Sequence, residues 1–275
     1  MKEGLRVRLL RLAVQDIEEH HAANHYIRLD VTDSMDIGSA LLPMGIIPAL
    51  LVLYITLGGY ENRFRDKYIF LTFIGGIAVG TLVYFMEIWV LSVFNYEVLL
   101  QALDVILLLS LGFALFEHLA KLVVLNLPRF QRDEGTVLYG ASLGLGFAAT
   151  SGAIFMRDVG SLLSPQGLYA GLMALALILL SCATTMLLGV GIVRGQRMKF
   201  LLLASLAGMV LWPPVLFAIG YGPGGLAGAG SLAYGAVVYL YVRRLIRPYL
   251  LGRQALREVY RREWFRRARR KREEA

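Results

Sequence analysis

GLYAGLMALALILLSCATTMLLGVGIV, residues 167–193, runs its whole length without a charged side chain. About 20 predominantly apolar residues suffice for a helix to cross the hydrocarbon of a bilayer. In lipid the backbone must bond within its own segment, so the run reads as a transmembrane helix. Six further stretches of this kind occur at 37–57, 68–94, 98–127, 137–156, 200–219 and 231–242, the last extending toward 251. The ten-residue alternating segments of a membrane β-barrel do not occur. The expected fold is all-α: a polytopic membrane helix bundle of seven transmembrane helices, or eight if 98–127 holds a break. Its parts are an amphipathic and polar N-terminal tail at 1–36, the transmembrane bundle at 37–250 and a basic tail at 251–275.

Composition agrees. Of 275 residues, 57% are hydrophobic and 17% charged, against about 45–50% and about 25% in soluble domains. These figures exclude a water-soluble globule, a disordered chain, a collagen and a disulfide scaffold. Cys182 is the single cysteine, so no intrachain disulfide can form. The first 36 residues hold 12 charged side chains and no apolar core, which does not suit a signal peptide.

The net charge is +8, and its placement gives an orientation. Residues 243–275 hold 13 of the 28 Lys and Arg but four of the 20 acids. Arg63, Arg65 and Lys67 follow the first stretch, Arg129 and Arg132 the third, and Arg194, Arg197 and Lys199 the fifth. The loops between carry none, or only Arg157. Basic loops stay inside. The expected place is a cell membrane, with the C-terminus cytoplasmic and, for seven spans, the N-terminus outside. Residues 3–17 pull the other way. Leu5, Leu9, Leu12 and Ile17 stand at roughly helical spacing among basic residues. Such a helix lies on an anionic inner leaflet, which would require an eighth span.

The rows Gly75-Gly76…Gly80 and Gly140…Gly144…Gly146 admit two readings. Small residues let helix backbones approach closely, or they leave room for a substrate helix. Pro213-Pro214 should kink or break its helix, freeing carbonyls that neighbours must satisfy.

Ionisable residues at membrane depth are functional candidates. Here they are Glu87, Asp104, Glu117, His118 and Lys121. Asp104 and Lys121 stand near the ends of a long stretch and are expected to snorkel outward. Glu87, late in its stretch, would reach a headgroup zone. Glu117 and Lys121 have the favourable i,i+4 order of an ion pair. The functional reading is a wet site made of carboxylate, imidazole and ammonium.

Phe116-Glu117-His118-Leu119-Ala120-Lys121 resembles the Glu-Glu-x-x-Lys motif of PrsW-type intramembrane proteases, relatives of the CAAX prenyl-protease and Abi group. Gly144-Leu145-Gly146-Phe147-Ala148-Ala149-Thr150-Ser151 is similar to that family's Gly-x-Gly-Phe-Ala-x-x-Glu segment. Met209-Val210-Leu211-Trp212-Pro213 sits where the family has His-x-x-Trp-Asn or His-x-x-Trp-Asp. The resemblance covers roughly residues 70–245 and implies glutamates and a histidine that hold a metal or activate water. Glu117 and Lys121 survive here. The second glutamate has become His118, the next Ser151, the histidine Met209 and the final Asp or Asn Pro213. Glu117 and His118, adjacent on one helix, point about 100° apart, and the stretches at 137–156 and 200–219 supply no His, Asp, Glu or Cys. The resemblance therefore implies a bundle that has lost its hydrolytic set.

A serine nucleophile needs a base, and His118 is the only membrane histidine. A Ser151–His118 dyad requires the third and fourth stretches to pack side by side. Otherwise Thr150, Ser151, Ser181, Thr184 and Thr185 would bond back to carbonyls of their own helices.

In the N-terminal tail, His21 and His25 stand i,i+4 with Glu18 one turn earlier. That falls short of a closed ligand set. No cofactor is expected, and zinc enters only if the protease reading holds. The Arg-rich C-terminal tail suits anionic lipid headgroups. Nucleic acid ranks lower because no RNA-binding fold accompanies the charge, and plain anchoring of the last helix requires no partner.

The favoured function is a non-catalytic binding or regulatory membrane protein that holds a partner or substrate helix in the Gly-rich groove. The alternatives are an active intramembrane protease with an altered site of Glu117, His118, Lys121 and Ser151, and a transporter or complex subunit with Glu87, Asp104 and Glu117 in a proton or ion path.

Overall fold

The computed structural model describes residues 34–60, 63–93, 102–131, 135–155, 164–221 and 225–250. The N-terminal amphipathic pattern, His21, His25, Arg157 and the basic tail lie outside them. Among the described residues all regular structure is helical. The elements are α1 (Ser34–Leu57), α2 (Asp66–Val93), α3 (Leu103–Leu125), the single turn α4 (Pro128–Gln131), α5 (Thr136–Phe155), α6 (Pro165–Val193), α7 (Arg197–Met209), α8 (Trp212–Tyr221) and α9 (Gly225–Leu250). The chain divides into Met1–Ala40, of which only the first residues of α1 are described, and Leu41–Ala275, which holds everything below.

Among the described residues, five helical stretches are long and apolar enough to cross a membrane: α2, α3, Thr136–Ile154 within α5, α6, and the pair α7–α8 taken as Arg197–Phe217. Large apolar side chains face outward, among them Phe85 and Trp89 on α2, Leu108 and Val123 on α3, and Leu202 and Leu206 on α7. That is the build of a membrane-embedded protein. The stretch expected at 98–127 is unbroken from Leu103 to Leu125.

Local chemistry sets the helix ends. Ser164 caps α6 by accepting the Gly167 amide at 3.0 Å, with Pro165 in the first turn. At the other end Gly195 adopts φ +70. Its amide donates to the Ile192 carbonyl at 3.1 Å and that of Gln196 to Gly191 at 2.8 Å. This left-handed cap satisfies the last carbonyls of α6 and turns the chain into α7.

The break foreseen at Pro213-Pro214 lies just before them, at Val210 and Leu211. The Leu211 amide turns to Gly208 at 3.1 Å. The Ala207 carbonyl receives the Tyr234 hydroxyl of α9 at 2.8 Å instead. Tyr169 of α6 donates to the Pro214 carbonyl at 3.1 Å. Neighbouring helices thus supply what the broken ladder lacks.

The core is α5 and α6, of whose membrane-length windows 78% is buried, against 33% for α2 and 28% for α3. Glycine makes this centre possible. A methyl group at Gly144 would strike the Ser181 carbonyl, one at Gly140 would come within 2.5 Å of the Thr185 carbonyl, and one at Gly146 would strike Phe73 on α2. A methyl at Gly76 would strike Leu143, and one at Gly45 of α1 would strike Ala149. The row on α5 is therefore filled by α2 and α6, and that on α2 by α5 at Gly76 and Gly80 but not at Gly75. The groove expected for a substrate helix is not open on these faces of α5. Apolar contact gains little over lipid contact inside a membrane, so close packing and hydrogen bonds hold such helices together. Ser142 donates to the Ile69 carbonyl at 2.7 Å, and the Thr56 and Tyr239 hydroxyls pair at 2.7 Å.

Candidate functional site

Lys121 lies one turn from the end of α3, where a long side chain would ordinarily reach for the interface. It does not. Its side chain is 1% exposed and points into the bundle. There the ammonium donates to Glu117 Oε2 at 3.1 Å and to Ser181 Oγ at 3.1 Å. It also lies 3.7 Å from the centroid of the Phe147 ring. An ammonium has three hydrogens and no acceptor. Carboxylate, hydroxyl and π-face engage them.

The cradle comes from three helices. Ser181 passes its own proton to the Gly144 carbonyl at 2.9 Å. That leaves its oxygen lone pairs turned to Lys121. Gly144 brings α5 and α6 together here, and Phe147 lies one turn further along α5. Thr184 and Thr185 bond back to their own helix, at 2.9 Å to Leu180 and 2.7 Å to Ser181. Ser181 and Thr150 instead reach across to another helix, Thr150 at 3.3 Å to the Ile77 carbonyl.

Glu87 of α2 completes the cluster. It is 8% exposed, and its Oε1 is buried without a hydrogen-bond partner. One turn further along α2, Val90 and Leu91 pack against the apolar cluster that holds Phe113 of α3, itself one turn from Glu117. The expectation that Glu87 reaches a headgroup zone is thus corrected: α2 turns this carboxyl inward. Asp104 is exposed in the first turn of α3, as snorkelling requires.

His118 goes elsewhere. Its ring is 2% exposed, and Nδ1 donates to the Ala114 carbonyl at 2.6 Å. A carbonyl only accepts, so this bond fixes the proton on Nδ1 and leaves Nε2 with a free lone pair. Nε2 is buried without a partner. A methyl group at Gly208 would lie 2.7 Å from the ring carbon Cε1. Glycine there lets α7 close over the imidazole.

The structure therefore joins Glu117 and Lys121, buries Glu87 on α2, and turns the His118 ring to its own Ala114 carbonyl and to α7. Ser151 is half-buried on α5 and makes no hydrogen bond to His118. The reason is packing: α3 lies chiefly against α7, not against α5. Ser181 and Phe147 join the ionic group although neither carries charge, and only the i,i+4 pair was readable beforehand. Met209 and Pro213 flank the break between α7 and α8.

If all three groups are ionised, Glu87, Glu117 and Lys121 carry one net negative charge. Lys121 is the cation of the group and is bound to Glu117. Among the described residues no three His, Cys, Asp or Glu side chains gather as a metal ligand set. No protein-family profile, curated protein or solved structure matches the chain.

Proposed function

We propose that the chain is a multi-pass membrane protein of PrsW-like design that works by binding or regulation, not by hydrolysis. The supporting observation is the Lys121 ammonium, held by Glu117, Ser181 and Phe147. A carboxylate that activates water must present a lone pair to it. Glu117, the one motif carboxylate that survives, gives Oε2 to Lys121, and the motif positions that would share a metal or water with it are His118, Ser151 and Met209. His118 is turned to α7 and holds its own backbone, so it is not positioned to share a water with Glu117. In this reading the motif has become an internal brace. The chain crosses the membrane seven times with its C-terminus cytoplasmic, and the basic tail holds anionic headgroups.

Reconstitution into vesicles with membrane-helix substrates tests it. Wild type and Glu117→Ala should leave substrates equally intact, with or without added divalent metal. Metal-dependent cleavage that Glu117→Ala abolishes would restore the protease reading.

A further inference from the structure

We propose that Glu87, Glu117 and Lys121 form a site for one exchangeable proton, carried at rest by Glu87. Charge and geometry both point there. The two carboxylates and one ammonium leave an excess of one negative charge in a buried, largely apolar setting. An uncompensated buried charge is costly, and a carboxyl group avoids the cost by taking a proton. Which carboxyl takes it follows from the hydrogen bonds. Glu117 holds a hydrogen of Lys121 at 3.1 Å and its side chain is 17% exposed. The other Lys121 hydrogens face Ser181 and Phe147. None is left for Glu87, whose Oε1 is buried and unpartnered.

Among the described residues the surroundings add no competing charge beyond Glu117 and Lys121 on α3. α5 and α6 contain no Asp, Glu, Lys, Arg or His. α8, whose Leu216 belongs to the apolar cluster on which Val90 and Leu91 of α2 pack, contains none either. His118 faces α7 with its Nδ1 proton committed to Ala114.

Release is balanced. Glu87-COOH gives its proton to water, leaving Glu87-COO⁻, and the three groups pass from neutral to one net negative charge. Uptake runs in reverse. The site is independent of whether the chain cleaves peptides.

Infrared difference spectra of the full-length protein in lipid vesicles, taken across a pH series, read the proton directly. Wild type should show a neutral-carboxyl carbonyl band that disappears as pH rises. Glu87→Gln should lack it, and Glu117→Gln, which removes the excess negative charge and frees Lys121 for Glu87, should lose it at lower pH than wild type. In parallel, dicyclohexylcarbodiimide attacks protonated carboxyls in apolar surroundings, and peptide mapping of the labelled wild type locates the residue without any variant. Label should sit on Glu87 and fall about tenfold per pH unit above its midpoint. A band that survives in Glu87→Gln, or label confined to Glu117, overturns the assignment. So does labelling that sodium, but not choline, suppresses at fixed pH, which would make the ligand a metal cation.

Discussion

Lys121 decides the character of the bundle's interior because its partners come from different helices: Glu117 from α3, Ser181 from α6 and Phe147 from α5. Removing one partner of a buried ion pair leaves the other charge stranded, at a cost of about 3–5 kcal/mol. Lys121→Met should lower unfolding stability in detergent by that order, and adding Glu117→Gln should recover most of the loss. If the double variant is as unstable as the single one, the pair is not the source. Ser181→Ala removes one neutral acceptor and should cost about 1 kcal/mol. His118 offers a second test. Gly208→Ala pushes a methyl group against its ring, and His118→Ala empties that space. In combination the two should cost less than their sum. Strict additivity would mean that α7 does not close on the imidazole.

Among the helices, the decisive feature is how closely α5 is approached. Gly144→Ala places a Cβ against the Ser181 carbonyl, where backbone must move, and should cost about 1–3 kcal/mol. Gly75→Ala, on the open face of α2, meets nothing within 4 Å. It should be neutral or stabilising by up to about 1 kcal/mol through helix propensity. Equal effects would show that the glycine rows do not distinguish packed from open faces. At the break, Tyr234→Phe leaves the Ala207 carbonyl without its donor and should cost about 0.6–1.7 kcal/mol, the range for hydrogen bonds between membrane helices. These elements were largely legible in the sequence. Unbroken apolar runs placed the helices, and Pro213-Pro214 placed the break within three residues. The inward turn of Lys121 and Glu87 was not legible, because end-of-helix position favours snorkelling. Only tertiary packing brings Ser181 and Phe147 to the ammonium. A hydroxyl and a ring carry no charge signal of their own, and Ser151, which looked equivalent to Ser181, stands one turn beyond Phe147 on α5, past the point where that helix meets Lys121.

For the molecule as a whole, orientation follows from which turns share a side. α6 rises about 1.5 Å per residue over its 29 residues. That is enough to put Leu168 and Arg194 on opposite faces of a bilayer. The turn capped at Gly195 therefore lies on the side of Lys199, and Arg197 at the start of α7 donates to Gln131 of α4 at 3.2 Å, which puts the turn that holds Arg129 on the same side. Leu226, at the start of α9 and 92% exposed, belongs to the opposite side. The native Cys182 is buried, so a single introduced cysteine can report alone. An impermeant maleimide applied to intact cells should label Leu226→Cys and spare Arg129→Cys and Lys199→Cys, and permeabilisation should expose the latter two. An N-terminal epitope should be reachable from outside if the crossings number seven. An N-terminal epitope that stays hidden until permeabilisation, with the cysteine pattern unchanged, would instead require an even number of crossings. The basic amphipathic pattern at residues 3–17 would then lie on the inner leaflet.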